Sequence, residues 1–247
     1  MGLSISTSNV LEGLTPTIVD AGTGEVAANI SDPDHSLNYT CGTSTGHFEV
    51  DYGAQSNISY VAISGHTAAT PASATIQLYD GALLIDSVVV KRNNNIMFTF
   101  PSMSFTTLKV RFVTVPNNYQ MTVSFIAAGQ HLDIVTGEQS GYKRNWLNRH
   151  KTKRSTTNLQ VGPVSSLTQQ KSLKGALTIP NSVVETFQDS WQDFIDFAFE
   201  QPFFIKEVSD KPESSYICSD PAFDTNSHSQ TLKLDVLKLK FTVYNGL

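Results

Sequence analysis

Few residues in this chain have both the type and the spacing to do chemistry. Glu49 and Asp51 stand two apart in a run that alternates apolar and polar residues, so both project from one strand face. Two carboxylates so placed could help hold a Ca²⁺, which takes oxygen ligands. The other reading is the solvated face of a half-buried strand. Asp32-Pro33-Asp34-His35 is the other acidic cluster in the first half. The six histidines, His35, His47, His66, His131, His150 and His228, are scattered, and none pairs with a second metal-ligand type at chelating spacing. There is no Gly-x-Ser-x-Gly elbow, Walker loop, strand-linked Gly-x-Gly-x-x-Gly or His-Glu-x-x-His. No carboxylate pair is marked by spacing for glycoside hydrolysis. The sequence therefore predicts no active site, no metal and no cofactor.

Two groups suit binding instead. Tyr39, His66 and the stretch Asn117-Asn118-Tyr119 supply aromatic and amide groups of the kind that meet sugars. Residues 141–154 hold six basic side chains and a histidine. Lys143, Arg144, Arg149, Lys151, Lys153 and Arg154 are interleaved there with Tyr142 and Trp146. Such an arm could meet phosphates and stack on bases. The acidic balance of the whole chain argues against nucleic acid. Docking on the acidic surface of a neighbouring subunit is the favoured reading, since complementary charge sets register in assemblies.

The chain has 247 residues, enough for one large domain or two ordinary ones. Only 16% of residues are charged, and polarity comes from Ser, Thr, Asn and Gln. With Val, Ile, Phe, Tyr and Thr plentiful, this composition favours strands. Residues 1–134 carry four basic side chains against ten acidic ones, while residues 135–247 carry thirteen against twelve. That asymmetry predicts two units with different neighbours. Cys41 and Cys218 are far apart, and two free buried thiols are the expectation. The first residues lack a basic stretch followed by an apolar core, which predicts no secretory leader. No run approaches the ~18 apolar residues of a membrane span.

The elements that must position these residues are mostly strands. Alternating or apolar runs cover 47–52, 58–64, 74–79, 83–90, 96–100, 107–114 and 120–126. Turn signals separate them, among them Asp80-Gly81, the cluster Lys91 to Asn95, and Pro116-Asn117-Asn118. About seven close strands with no helix-period segment between them predict an antiparallel sandwich or jelly roll. A helix is predicted from Asn181, with Ser182 and Glu185 at capping-box spacing. Phe187, Trp191, Phe194, Ile195 and Ala198 share one face of it, and Pro202 follows its end. Two short strands are expected at 203–205 and 215–218, then a long alternating run to Val243. The phase of that run slips at Val236-Leu237, where a β-bulge would restore one buried face. The expected fold is mostly β: a jelly roll over residues 1–136, then an α+β unit over 137–247 with one helix on an antiparallel sheet.

Residues 18–132 resemble the galactose-binding-like jelly rolls of the discoidin and coagulation-factor type. The resemblance is carried by Ala27-Ala28-Asn29-Ile30-Ser31-Asp32, Phe48-Glu49-Val50-Asp51-Tyr52-Gly53, Val61-Ala62-Ile63-Ser64-Gly65-His66 and Leu108-Lys109-Val110-Arg111-Phe112. The cysteine pair of the extracellular members is absent. The order of the whole chain resembles distal-tail or baseplate-hub proteins of long-tailed bacteriophages. It runs from a jelly roll ending at Phe125 to Leu132, through a basic arm and a helix before Gln201-Pro202-Phe203-Phe204, to closing strands. That resemblance implies a structural virion protein assembled in the host cytoplasm. Copies would form a ring, taken as a hexamer, that joins the tail tube to hub proteins with the jelly roll outward. The alternative is a carbohydrate-binding module or adhesin that contacts host-surface glycans.

Overall fold

A computed structural model describes residues 2–19, 25–34, 37–42, 47–69, 73–116, 119–135, 173–180, 188–224 and 236–244. The strands, in chain order, are β1 Gly2–Ser6, β2 Thr17–Val19, β3 Tyr39–Thr40, β4 Phe48–Asp51, β5 Gln55–Ser64, β6 Thr75–Asp80, β7 Leu83–Val89 and β8 Ile96–Phe105. They continue with β9 Leu108–Val113, β10 Thr122–Val123, β11 Phe125–Gly129, β12 His131–Val135, β13 Leu173–Pro180, β14 Phe203–Lys206, β15 Ser215–Asp224 and β16 Val236–Tyr244. One α-helix, α1 Gln188–Glu200, and a 3-10 turn at Ala27–Ser31 complete the described elements.

The first part is an antiparallel jelly-roll sandwich. A five-stranded sheet in the order β2-β4-β9-β6-β7 faces a three-stranded sheet β11-β5-β8, with the pair β10-β3 at one end. Alternation decides the faces. Phe48 and Val50 on β4, Ile76 and Leu78 on β6, and Leu108, Val110 and Phe112 on β9 point into one core. The opposite sheet fills it with Ile58, Val61, Ile63, Phe98, Ile126 and Ala128. Each fully buried side chain of this size stabilises the fold by ~1.5–3 kcal/mol. Ile58 and Val61 share that face although they stand three apart. The register of β5 against β8 shifts on both sides of Ile58, and Asn57 takes φ 57°.

β5 is buried on both faces, which is why its sequence runs apolar without alternation. Tyr60 and Ala62 point away from the jelly-roll core, with Met97, Phe125 and Ala127 beside them. Phe204 of β14 and Ile217 of β15 cover that outer face.

The second part is an antiparallel sheet of six strands, β12-β1-β14-β15-β16-β13, with α1 packed on it. Its members come from both ends of the chain: β1 and β12 flank the jelly roll in sequence but pair with each other, and β1 also pairs with β14. Phe194 and Ala198 bury the helix against Phe203, Phe241 and Val243, and the Phe194 ring meets Phe203 edge-on at 5.4 Å. Residues 181–187, with the expected capping box and Phe187, lie outside the described residues.

The β-bulge expected at Val236-Leu237 is corrected; Leu232 and Leu234, which carry the other phase, lie outside the described residues. β16 pairs with β13 in unbroken register from Val236 to Val243. A separate irregularity lies in the partner strand β15, between Ser219 and Ala222 and opposite Phe241, where Asp220 takes φ 51°. β16 therefore keeps one buried phase, Leu239, Phe241 and Val243. No described helix is long and apolar enough to cross a membrane.

Candidate functional site

One end of the sandwich gathers neutral polar side chains from loops distant in sequence. The chain leaves β5 through Gly65, His66 and Thr67, and the β7–β8 connection, Val90 to Asn95, lies beside it. Side-chain hydrogen bonds tie the two loops together. Ser64 Oγ donates to Asn95 Oδ1 at 2.8 Å, and the Ala69 amide donates to Asn93 Oδ1 at 2.9 Å. The Val90 amide donates to the Ala74 carbonyl at 2.9 Å.

The β10 side joins the same cluster. The Thr122 amide donates to Thr67 Oγ1 at 2.9 Å, and the Thr67 amide returns a bond to the Thr122 carbonyl at 3.1 Å. The Tyr119 hydroxyl donates to the Thr67 carbonyl at 3.1 Å. Ser124 Oγ reaches both Asn38 Oδ1 and the Gly65 carbonyl. Gly65 makes this approach feasible: it takes φ 62°, and a Cβ there would run into the Ser124 side chain.

His66 lies within the cluster and is only 2% exposed. Its Nδ1 accepts from the Ala68 amide at 3.3 Å, so a neutral ring carries its proton on Nε2. Nε2 has no hydrogen-bond partner of good geometry. Burial pushes the ring's pKa down to about 4, against a smaller opposing effect of the Asn94 backbone carbonyl.

The predicted binding residues divide. Tyr119 is half-buried with its hydroxyl in the cluster. Asn117 and Asn118 lie outside the described residues. Tyr39 is corrected: its ring is 1% exposed and stacks on Phe48 at 5.8 Å, so it has no face to offer a ligand. His66 is likewise interior, a support of the loop rather than a surface contact. Lys143, Arg144, Trp146, Arg149, Lys151, Lys153 and Arg154 all lie outside the described residues. Asn38, Thr67, Asn93, Asn95 and Ser124 were not singled out by sequence reasoning. The polar run Lys91 to Asn95 was a signal for Asn93 and Asn95 alone.

The Ca²⁺ reading of Glu49 and Asp51 is corrected as well. Their neighbours on β9 are Arg111 and Lys109. Lys109 Nζ lies 3.2 Å from Glu49 and 3.4 Å from Asp51, where a shared cation would sit. Arg111 Nε donates to Glu49 at 2.6 Å, and its guanidinium lies 5.3 Å from the Tyr79 ring centre. Burial pushes the Glu49 carboxyl up, but Arg111 and Lys109 together hold it below its ordinary value. Among the described residues no cluster of His, Cys, Asp and Glu could hold a metal ion. Cys41 and Cys218 form no disulfide and are buried in separate cores.

A third polar group lies where the two parts meet. His131 Nδ1 is 2.8 Å from Ser59 Oγ, and Nε2 is 3.3 Å from Asp133. Ser59 Oγ also accepts the His131 backbone amide at 2.8 Å, and Ser4 Oγ donates to the same Asp133 oxygen at 2.6 Å. Beside them Lys206 is buried, and its ammonium donates to Thr99 Oγ1 at 2.7 Å.

No family model matches the chain, and no curated protein matches it. Solved structures similar to it cover about half of it. One is chitosan-binding module 1 of a chitosanase/glucanase from Paenibacillus sp. IK-5, with 15% identity and a TM-score of 0.41 over 50% of this chain and 99% of that one. Another is a Streptococcus pneumoniae fucose binding module, with 12% identity and a TM-score of 0.39 over 49% and 94%. A third is the lectin domain of lectinolysin complexed with Lewis B antigen, with 15% identity and a TM-score of 0.38 over 50% and 97%.

Proposed function

We propose that this chain is a non-catalytic carbohydrate-binding protein whose jelly roll takes a glycan at the loop end built on Thr67, Asn93, Tyr119 and Thr122. The observation that carries the reading is the locking of that end. Amides and hydroxyls from three loops are held by mutual hydrogen bonds, beside a half-exposed aromatic ring. Sugar hydroxyls are recognised by such fixed donors and acceptors, and loops that are already ordered lose little freedom on binding. The absence of catalysis is part of the proposal. The Ser–His–Asp arrangement among the described residues, Ser59 with His131 and Asp133, supports it: Ser59 is 4% exposed and its oxygen already accepts a backbone amide.

Binding to a glycan array, followed by calorimetry on the hits, tests the reading. Tyr119→Ala and Asn93→Ala are expected to weaken binding at least tenfold with the fold intact. Silence across the array from folded protein would overturn it.

A second reading is an assembly component of a bacteriophage tail tip, built from copies of the chain in a ring. The edge strand β7, where Leu83, Leu84 and Val89 are all exposed, bears on the ring alone, as a place where another chain could pair. Apolar edges of this kind invite pairing with another chain. Light scattering decides the matter: a ring that Leu83→Asp and Leu84→Asp together dissolve supports it, and a monomer at high concentration overturns it. A ring component can also bind glycans, so the two readings are compatible.

A further inference from the structure

The jelly roll's cations are few, and their placement is uneven. Residues 1–134 contain only Lys91, Arg92, Lys109 and Arg111. Two of these are consumed on the outer face of the five-stranded sheet, where Lys109 and Arg111 neutralise Glu49 and Asp51. Lys91 and Arg92 are different. Both are exposed, and neither forms an ion pair among the described residues.

They also stand on a fixed support. Their loop is pinned on one side by the Val90 amide on Ala74 and on the other by Asn93 on Ala69 and Asn95 on Ser64. The residues between the pins, Lys91 and Arg92, are turned to solvent at the rim of the candidate glycan site. The chain as a whole is acidic, with a net charge of −5, so two uncompensated cations at this rim run against the background.

We propose that the ligand is an anionic glycan carrying a carboxylate, a uronic or sialic acid, with Lys91 and Arg92 reading the acid group. The inference rests on the carbohydrate-binding reading and deepens it. The division of labour follows from the chemistry of the groups. Amides and hydroxyls of Asn93, Thr67 and Tyr119 suit ring hydroxyls, while the planar fork of Arg92 matches a carboxylate bidentately. Lys91 adds a second positive charge that needs no particular orientation. Both contacts are exposed and screened, so each contributes up to about fivefold in affinity at ordinary salt.

The test uses the full chain on an array of matched pairs: sialylated and asialo glycans, oligogalacturonates and their methyl esters, and sulfated against carboxylated forms of one backbone. The expected result is binding to the carboxylated members, with about tenfold or greater loss on esterification or removal of the acid. K91Q together with R92Q should erase that preference while leaving the melting temperature unchanged, because both side chains are exposed. Equal binding to the neutral members would overturn this inference and leave the carbohydrate reading standing. Equal or tighter binding to the sulfated forms would overturn the carboxylate assignment. No binding to any member would overturn the carbohydrate reading itself.

Discussion

Ser64 Oγ donates to Asn95 Oδ1 at 2.8 Å, with both side chains buried and thirty-one residues apart in sequence. This bond joins the end of β5 to the loop that carries Lys91 and Arg92. Removing one partner leaves the other polar group buried and unpaired, which costs ~1–3 kcal/mol. Asn95→Ala is therefore expected to lower stability by that amount in urea unfolding. A double-mutant cycle with Ser64→Ala should recover part of the loss, since the paired deletion no longer strands the Ser64 hydroxyl.

Gly65 gives a sharper test of the same loop. It combines a positive φ with a Cβ position blocked by Ser124. Gly65→Ala should cost more than ~2 kcal/mol, the sum of a left-handed backbone penalty and a steric clash. Measured against a Ser124→Gly parent, which lacks the obstructing side chain, the same substitution should cost only the backbone part, roughly 1 kcal/mol. A rescue that fails to appear in thermal melts would show that the obstruction lies elsewhere.

The jelly roll was legible because alternation reports burial on one face. Leu108, Val110 and Phe112 against Lys109 and Arg111 give β9 its two faces from sequence alone. β1 carries the same signal in Leu3 and Ile5 on alternate positions, but a strand that pairs with β12 and β14 acquires meaning only once the chain ends meet. The extra residue in β15 shows a different limit: it lies opposite Phe241, where the sequence of β16 alternates without a break and gives no sign of it. At the site, residue types were informative and burial was not. Tyr39 and His66 have side chains suited to sugars, but both are covered by elements far along the chain. The locking bonds span up to 86 residues, a separation that no local pattern encodes.

His66 makes stability fall on mild acidification. Its pKa in the folded protein is about 4, below the ordinary value of 6.5. Above pH 6.5 neither the folded nor the unfolded chain binds a proton there, so the group is neutral to stability. Between 6.5 and 4 the unfolded chain takes up a proton that the folded chain refuses, and stability drops by at most ~3 kcal/mol. His131, also held low chiefly by burial, adds loss in the same direction. Urea midpoints at pH 7, 5.5 and 4.5 should decline in the native chain and decline less in His66→Gln. Parallel slopes for the two proteins would contradict the assignment.

The join between the two parts is apolar as well as polar. Phe204 stacks on Phe125 with ring centres 6.1 Å apart, and it covers Tyr60, Ala62 and Met97. Phe204→Ala should cost ~3–5 kcal/mol, as for other large core deletions. Residues 8–130 expressed alone would expose that face and are expected to bind a hydrophobic dye and aggregate. A stable, monomeric fragment would show instead that the sandwich does not need its second sheet.

Lys206 tests the polar side of that join, and here the expected sign is reversed. Its ammonium is buried, donates to Thr99 Oγ1, and forms no ion pair within the described residues. Burial pulls its pKa down, while Asp86, Asp133, Asp210 and Glu213 act on it from farther away. Desolvating an ammonium costs several kcal/mol, and distant carboxylates offset only part of that. Lys206→Met keeps the length and apolar stem, removes the charge, and leaves Thr99 with a hydroxyl that can turn to another acceptor. The variant is expected to match the native chain or exceed it by ~1 kcal/mol in urea unfolding at pH 7. A loss above ~2 kcal/mol would mean that the four carboxylates hold the lysine more strongly than their distance suggests, and that the join is electrostatic before it is apolar.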